Sequence, residues 1–357
     1  MSDRTALLDL SYPQLEKLLT SWEEPSYRTQ QLWEWLYHSL ADDFSQMSNL
    51  PRELREKLEE AVTLQPLGVL DQITSPSGLT QKLLLGLADG ETIESVLMRY
   101  RRRNSVCVST QVGCAIGCPF CATGQSGFTR NLTPGEIVGQ VLHFARLLGM
   151  DGQKVTNVVL MGMGEPLANY EAMWQAVEVL HDRRGFNLGA RRITISTAGL
   201  VPGIQRLSGE ELQVGLAISL HAAEDRLRDD LVPLNRRYPL AQLMEACQSY
   251  VERTGRRITI EYALIHGIND DIGQAQALGQ LLQGLNCQVN FIRLNPILES
   301  EWQPSSRKRV GAFQAMLDGY GIRSTVRVRR GIDIQAGCGQ LRSRSVGRKL
   351  NEPGISN

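Results

Sequence analysis

The chain has 357 residues, 42% hydrophobic and 21% charged, the composition of an ordinary globular protein with room for one large domain and a smaller one. Lysine plus arginine and aspartate plus glutamate both number 38, so bulk charge announces no nucleic-acid partner and any such contact has to rest on local patches. The N-terminus carries an acid at Asp3 and leads into no apolar stretch, and nowhere do about 18 apolar residues run together, so the expectation is a cytoplasmic protein with no membrane segment.

Residues 1–65 read as a small helical accessory domain. Ser11 with Gln14 makes a capping-box start, followed by Leu15, Leu18, Leu19 and Trp22 at helical spacing. A second helix runs from Ser26 through Leu32, Trp33, Leu36 and Leu40, and a third follows Pro51 with Leu54 and Leu58. Residues 66–112 form a β-rich extension, with runs at 82–85 and 93–98 broken by Ser-Pro-Ser-Gly and Asp-Gly turns, and are expected to be hairpins.

From 113 to 345 the pattern alternates. Strands are expected at 155–161, 193–196, 214–219, 258–265, 289–294 and 324–328, separated by helical stretches such as Thr133–Leu148 and Tyr238–Thr254. This predicts an α/β fold with a parallel sheet, either an open barrel or a doubly wound sheet, and both put chemistry at the C-terminal ends of the strands. Thr133-Pro134-Gly135-Glu136 specifies a helix start. Residues 346–357 read as a frayed tail.

Four of the seven cysteines lie between 107 and 121, a layout that suits metal or redox chemistry better than a secreted disulfide framework. Cys114, Cys118 and Cys121 make C-x3-C-x2-C, and three thiolates on one tight loop bind three irons of a cubane, leaving the fourth iron without a protein ligand. Such an iron can chelate S-adenosylmethionine and pass it one electron. Phe120 would shield the cluster. The alternative is a structural zinc site in a non-enzymatic RNA-binding module, with Cys107 as the fourth ligand. Cys247 and Cys287 sit on apolar faces and read as core, whereas Cys338 stands between Gly337 and Gly339 in a turn that leaves a thiol accessible.

Several apolar runs end in small polar groups. Gly162-Met163-Gly164-Glu165-Pro166 follows the first strand after the cysteines, and Ser196, Ser219-Leu220-His221 and Asn295 close later ones, so a shared cofactor pocket accounts for all of them. Each alone is also compatible with an ordinary turn, and His221 with a structural histidine. Glu94 lies in an otherwise apolar strand, where an exposed acid is the usual case. Runs at Arg99–Arg103, Arg307–Arg309 and Arg327–Arg330 can contact phosphates or simply be solvated.

Gln111-Val112-Gly113-Cys114, Cys121-Ala122-Thr123-Gly124, Gly162 to Pro166, Ser219-Leu220-His221 and Ala336-Gly337-Cys338-Gly339-Gln340, in that order, closely resemble the RlmN/Cfr family of radical methyltransferases. The resemblance implies a partial triose-phosphate-isomerase-like (β/α)6 barrel. It implies a 4Fe-4S cluster on Cys114, Cys118 and Cys121, and an S-adenosylmethionine pocket lined by Gly164, Glu165, Ser196, Ser219, Leu220, His221 and Asn295. Two S-adenosylmethionine molecules would serve each turnover. One methylates Cys338; the other yields a radical that abstracts hydrogen from the S-methyl group, and the resulting methylene radical adds to adenine. Cys107 would resolve the covalent protein–RNA adduct by a disulfide with Cys338, with Glu94 as the acid–base residue. The scheme expects both thiols to be exposed. It implies 23S rRNA and tRNA as partners, and it comes with an expected flavodoxin- or ferredoxin-type electron donor and a monomeric state. One branch methylates carbon 2 of adenosine in the peptidyl-transferase loop and beside the tRNA anticodon, the other carbon 8 of the same rRNA adenosine. Phe128 resembles the carbon-2 branch, while Leu97-Met98 departs from the Ile-Pro common there.

Overall fold

The computed structural model describes residues 4–297, 300–328 and 330–342; the tail expected at 346–357 lies outside them. A short strand β1 (Thr5–Ala6) and three helices, α1 (Tyr12–Ser21), α2 (Tyr27–Tyr37) and α3 (Arg52–Ala61), precede β2 (Val62–Thr63), which pairs in parallel with β1. The capping box forms, with Gln14 Oε1 accepting from the Ser11 amide at 2.8 Å. Leu15, Leu19, Leu32, Leu36, Leu54 and Leu58 are buried, and Trp33 packs its ring against Tyr12 and Tyr37.

The expected hairpins follow as an antiparallel ribbon of β3 (Gly68–Thr74), β4 (Thr80–Gly86), β5 (Thr92–Tyr100) and β6 (Arg103–Cys107). Then come a hairpin of β7 (Gln111–Gly113) and β8 (Phe128–Asn131) around a short helix α4 (Ala122–Gln125), the long helix α5 (Pro134–Met150) and β9 (Asn157–Leu160). β9 returns to pair in parallel with β6, Val106 opposite Val158 and Cys107 opposite Val159. The parallel sheet therefore starts inside the segment read as an extension. The reason is local: β6 carries Arg103, Asn104 and Ser105, which do not make the apolar run of a buried parallel strand.

The alternation then proceeds through α6 (Tyr170–His181), β10 (Ile193–Thr197), α7 (Val201–Leu207), β11 (Gly215–Ser219), α8 (Asp225–Leu231), α9 (Leu240–Thr254), β12 (Ile258–Leu264), α10 (Ile272–Leu282), β13 (Cys287–Arg293), α11 (Arg307–Gly319) and β14 (Ser324–Val326). All six strands expected after the cysteines are present. The sheet order β14-β13-β12-β11-β10-β9-β6 follows the chain without reversal, so the sheet has the winding of a barrel and no switch point of a doubly wound fold. Its outer strands, β14 at one end and β3 at the other, do not pair with each other, and the barrel is open.

The helical module is tied to this barrel at α5 and α6. Asp9 Oδ1 accepts from the Gly135 amide at 2.7 Å, an anion on a helix N-terminus, and the Asp9 carbonyl accepts from Gln175 Nε2. The Arg146 guanidinium donates to the carbonyls of Leu40 and Ala41.

Candidate active site

A cavity opens at the C-terminal ends of the parallel strands. Cys114, Cys118 and Cys121 enter it from the loop that follows β7, in the crossover from β6 to β9; Gly164 and Glu165 come from the turn after β9, Ser196 from β10, Ser219 and His221 from the end of β11, and Asn295 from the end of β13. The structure thus gathers every expected cofactor residue except Leu220. That side chain is fully buried in the core, and its backbone amide donates to the Glu261 carbonyl.

Burial pushes each of the three thiols up, Cys114 to about 12, and the charges of Cys121 and Cys114 add to the rise at Cys118. Buried thiols become thiolates only beside positive charge, which an iron cluster supplies. Among the described residues no three His, Cys, Asp or Glu side chains converge on a point suited to a single ion. The donor set instead fits a cluster in which each sulfur has its own iron. Cys107 does not line this cavity, which corrects the zinc alternative that used it as fourth ligand. Phe120 stands edge-on to His221, ring centroids 5.0 Å apart, and stacks at 6.5 Å on Trp302, closing the side of the loop.

The walls are rigidly built. Gly164 has φ +96°, and a Cβ there would come within 2.5 Å of Gln111 Cβ, so only glycine lets the turn after β9 pass so close to β7. Glu165 is buried; its oxygens accept from the amides of Leu167 at 3.1 Å and Ala198 at 2.7 Å, while burial raises it to about 7. His221 takes a left-handed backbone conformation, φ 63°, and Nδ1 accepts from the Ala263 amide at 3.0 Å. That bond leaves the proton of the neutral ring on Nε2, and burial pushes the imidazole down to about 3.

Behind this wall lies Arg228, fully buried, which donates to the carbonyls of Ala198 and Leu220 and to Asn235 Oδ1, binding together the ends of β10 and β11. Its surroundings in sequence, Asp225-Arg226-Leu227-Arg228-Asp229-Asp230, resemble a solvated helix and give no sign of this role. Glu261 on β12 is also buried in the cavity wall, its Oε2 accepting from Asn290 Nδ2 at 2.8 Å. Only an acid in an apolar strand could have pointed to it.

Cys338 borders this cavity and also a second, smaller one whose wall includes Cys107, Val96, Met98 and Asn295. The two thiols that the sequence resemblance pairs thus face one space. The expectation that both are exposed is corrected for Cys107, which is 7% exposed because β5 and β9 flank it; burial pushes its thiol to about 12. Asn295 Nδ2 donates to the Cys338 carbonyl at 3.1 Å, and a Cβ on Gly337 would come within 2.6 Å of that nitrogen. Gln340 folds back so that Oε1 accepts from the Gly337 amide and Nε2 donates to the Pro296 carbonyl. Those contacts explain why glycine and glutamine flank this cysteine.

Glu94 is buried rather than exposed, and it lines neither of these cavities. It shares a face of β5 with Val96, the residue opposite Cys107, but its carboxylate is engaged by Lys82 at 2.9 Å and by the Arg342 amide at 3.0 Å. Arg327, in a run expected to contact phosphates or be solvated, turns inward and lines both cavities beside Cys338 and Cys107. In the same run Arg330 lies over the Tyr100 ring at 4.4 Å, with Arg103 over that ring at 4.3 Å; Arg329 lies outside the described residues.

Residues 5–64 match the family model described as the ribosomal RNA large subunit methyltransferase N-terminal domain, and residues 108–275 match the radical SAM superfamily. A dual-specificity RNA methyltransferase RlmN 1 from Myxococcus xanthus is 52% identical over 343 residues, covering 96% of each chain. The chain belongs to the RlmN family of radical SAM methyltransferases. A probable RlmN of Chloroflexus aurantiacus is 48% identical over 353 residues, covering 96% of this chain and 94% of that one. A radical SAM methyltransferase crystal structure from Sphaerobacter thermophilus superposes with a TM-score of 0.93 at 50% identity, covering 95% of this chain and 99% of the other. RlmN membership brings with it a 4Fe-4S cluster and S-adenosylmethionine, the groups that the three-thiol cavity fits. No helix among the described residues is long and apolar enough to cross a membrane.

Proposed function

We propose that this chain methylates carbon 2 of an adenosine in the peptidyl-transferase loop of 23S rRNA and of the adenosine 3′ to the anticodon in tRNA, with Cys338 as methyl carrier and Cys107 as resolving thiol. One observation carries the reading: Cys338 borders both the cavity of the three cluster thiols and the cavity that holds Cys107. When bound, the cluster supplies the electron that cleaves S-adenosylmethionine to a 5′-deoxyadenosyl radical. Cys114, Cys118 and Cys121 hold it, and Gly164, Glu165, Ser196, Ser219, His221 and Asn295 orient the cofactor against Cys338. The Cys338 sulfur takes a methyl group from one S-adenosylmethionine, and a second is spent on abstracting hydrogen from that methyl, so two serve each turnover. After addition to the adenine ring, the adduct would give up one electron to the bound cluster and its ring proton to Glu94; Cys107 then attacks the Cys338 sulfur, breaking its bond to the methylene carbon, which takes a proton to become the methyl group, and a cellular thiol reductant reopens the Cys107–Cys338 disulfide. An amidine carbon is no nucleophile for a sulfonium, so polar transfer fails, and radical addition from a thiol-borne methylene avoids that barrier.

A flavodoxin- or ferredoxin-type donor, a monomeric state and the reducing cytoplasm complete the reading. The decisive experiment compares rRNA and tRNA nucleosides from cells lacking and expressing the protein. 2-Methyladenosine in both RNAs is expected; 8-methyladenosine would move the chain to the carbon-8 chemistry, and neither product would overturn the reading. With Cys107→Ala, a covalent protein–RNA adduct through Cys338 should accumulate, detected by mass spectrometry of the nuclease-treated protein.

A further inference from the structure

Lys82 and Glu94 are the two halves of an ion pair closed off from water, with side chains 4% and 2% exposed and 2.9 Å between Nζ and Oε1. Burying two charges is costly unless each finds its full set of partners, and the remaining bonds of this pair run to one place. Lys82 Nζ donates to the Gln335 carbonyl at 3.2 Å, and Glu94 Oε2 accepts from the Arg342 amide at 3.0 Å. Those two positions bracket Cys338.

The sheet register explains the reach. Lys82 on β4 stands opposite Val96 on β5, which stands opposite Cys107 on β6, so the three share a row on one face of the sheet; Glu94 is two residues along that face from Val96. The Cys338 segment therefore lies over the face that presents Cys107. Gln335 is a non-glycine residue with φ 52°, a conformation that persists only where the surroundings hold it. Its carbonyl is the atom Lys82 grips.

We propose that Lys82 is a positioning residue for the methyl-carrier loop: its ammonium, locked to Glu94, fixes the Gln335 turn so that the Cys338 sulfur is presented to the cofactor cavity and to Cys107. The inference rests on the reading of Cys338 as methyl carrier. It assigns to Lys82 no contact with cofactor or RNA, and it gives the Glu94 carboxylate a holding task besides any proton transfer.

The test uses full-length, cluster-loaded protein prepared anaerobically, as wild type and as Lys82→Met, Lys82→Gln and Lys82→Arg. Three quantities are read: the methyl load on Cys338 by peptide mass spectrometry, hydrogen exchange of the 331–342 backbone, and 5′-deoxyadenosine released from S-adenosylmethionine with dithionite. The expected result for Lys82→Met is methyl load down at least tenfold and exchange across 331–342 at least tenfold faster, with deoxyadenosine release within twofold of wild type. Lys82→Gln, milder in a buried site and able to report if Lys82→Met does not fold, should shift methyl load and exchange at least threefold. Lys82→Arg, which keeps charge and donors, should retain at least half the methyl load. Wild-type methyl load and wild-type exchange in either neutral variant would overturn the proposal. Absence of methyl on wild-type Cys338 would instead sink the carrier reading, leaving the exchange measurement to judge Lys82.

Discussion

His221 shows how a single side chain is committed by its surroundings. Its Nδ1 is spent on a backbone amide and its ring is buried against Phe120, so the folded state refuses a proton that the unfolded chain accepts at the ordinary value of 6.5. With the folded value depressed to about 3, stability is complete above 6.5 and drains away as pH falls from there toward 3. From about pH 7.5 to about pH 5.5 this one group should remove about 1.4 kcal/mol, at about 1.4 kcal/mol per pH unit below 6.5. Urea unfolding of wild type and His221→Gln at the two pH values checks it: the variant's loss should be smaller by that amount. Spacing made the cysteines, Glu165, His221, Asn295 and Cys338 legible, because motif residues must be close in sequence or at strand ends to act together. Lys82, Arg228, Glu261 and Arg327 were not legible, because a charged residue reads the same in sequence whether water or another buried charge surrounds it.

At the scale of elements, the turn after β9 is the tightest joint in the site. Gly164→Ala would place a methyl 2.5 Å from Gln111 Cβ in a backbone region closed to alanine, so β7 and the turn cannot both keep their places. The expected cost is about 2–3 kcal/mol of stability, seen as a lowered thermal midpoint. Methylation should fall by more than tenfold, because Glu165 moves with the turn; a variant with wild-type midpoint and rate would show that the turn has slack. Six of the seven parallel strands were readable from apolar runs flanked by turns, and α5 from its cap, where Thr133 Oγ1 accepts from the Glu136 amide at 3.1 Å. β6 escaped because its polar residues find partners only in three dimensions: Asn104 Nδ2 donates to Gln153 Oε1 and to the Lys154 carbonyl, and the Thr156 hydroxyl accepts from the Asn104 amide. Barrel and doubly wound sheet share one periodicity, and only the order of pairing separates them.

Across the whole molecule, the helical module shares one apolar core with the barrel, and Asp9 makes polar contacts to both α5 and α6. Asp9→Ala leaves the Gly135 amide at the start of α5 without its acceptor and should cost about 1–2 kcal/mol. Limited proteolysis should then cut the module from the barrel faster, while iron content stays unchanged; equal cleavage rates would place the fastening elsewhere. The module was readable as helical, but its docking was not, since Asp9 and Gly135 are far apart in the chain and no periodicity links them. Cys338, the proposed methyl carrier, comes far downstream of the cluster cysteines, and the segment around it is held at Gln335 and Arg342 by strands made long before it, through Lys82 and Glu94. On the proposed roles, a chain still being synthesised completes its iron-binding loop before its methyl carrier exists, so the radical half of the site precedes the carrier half.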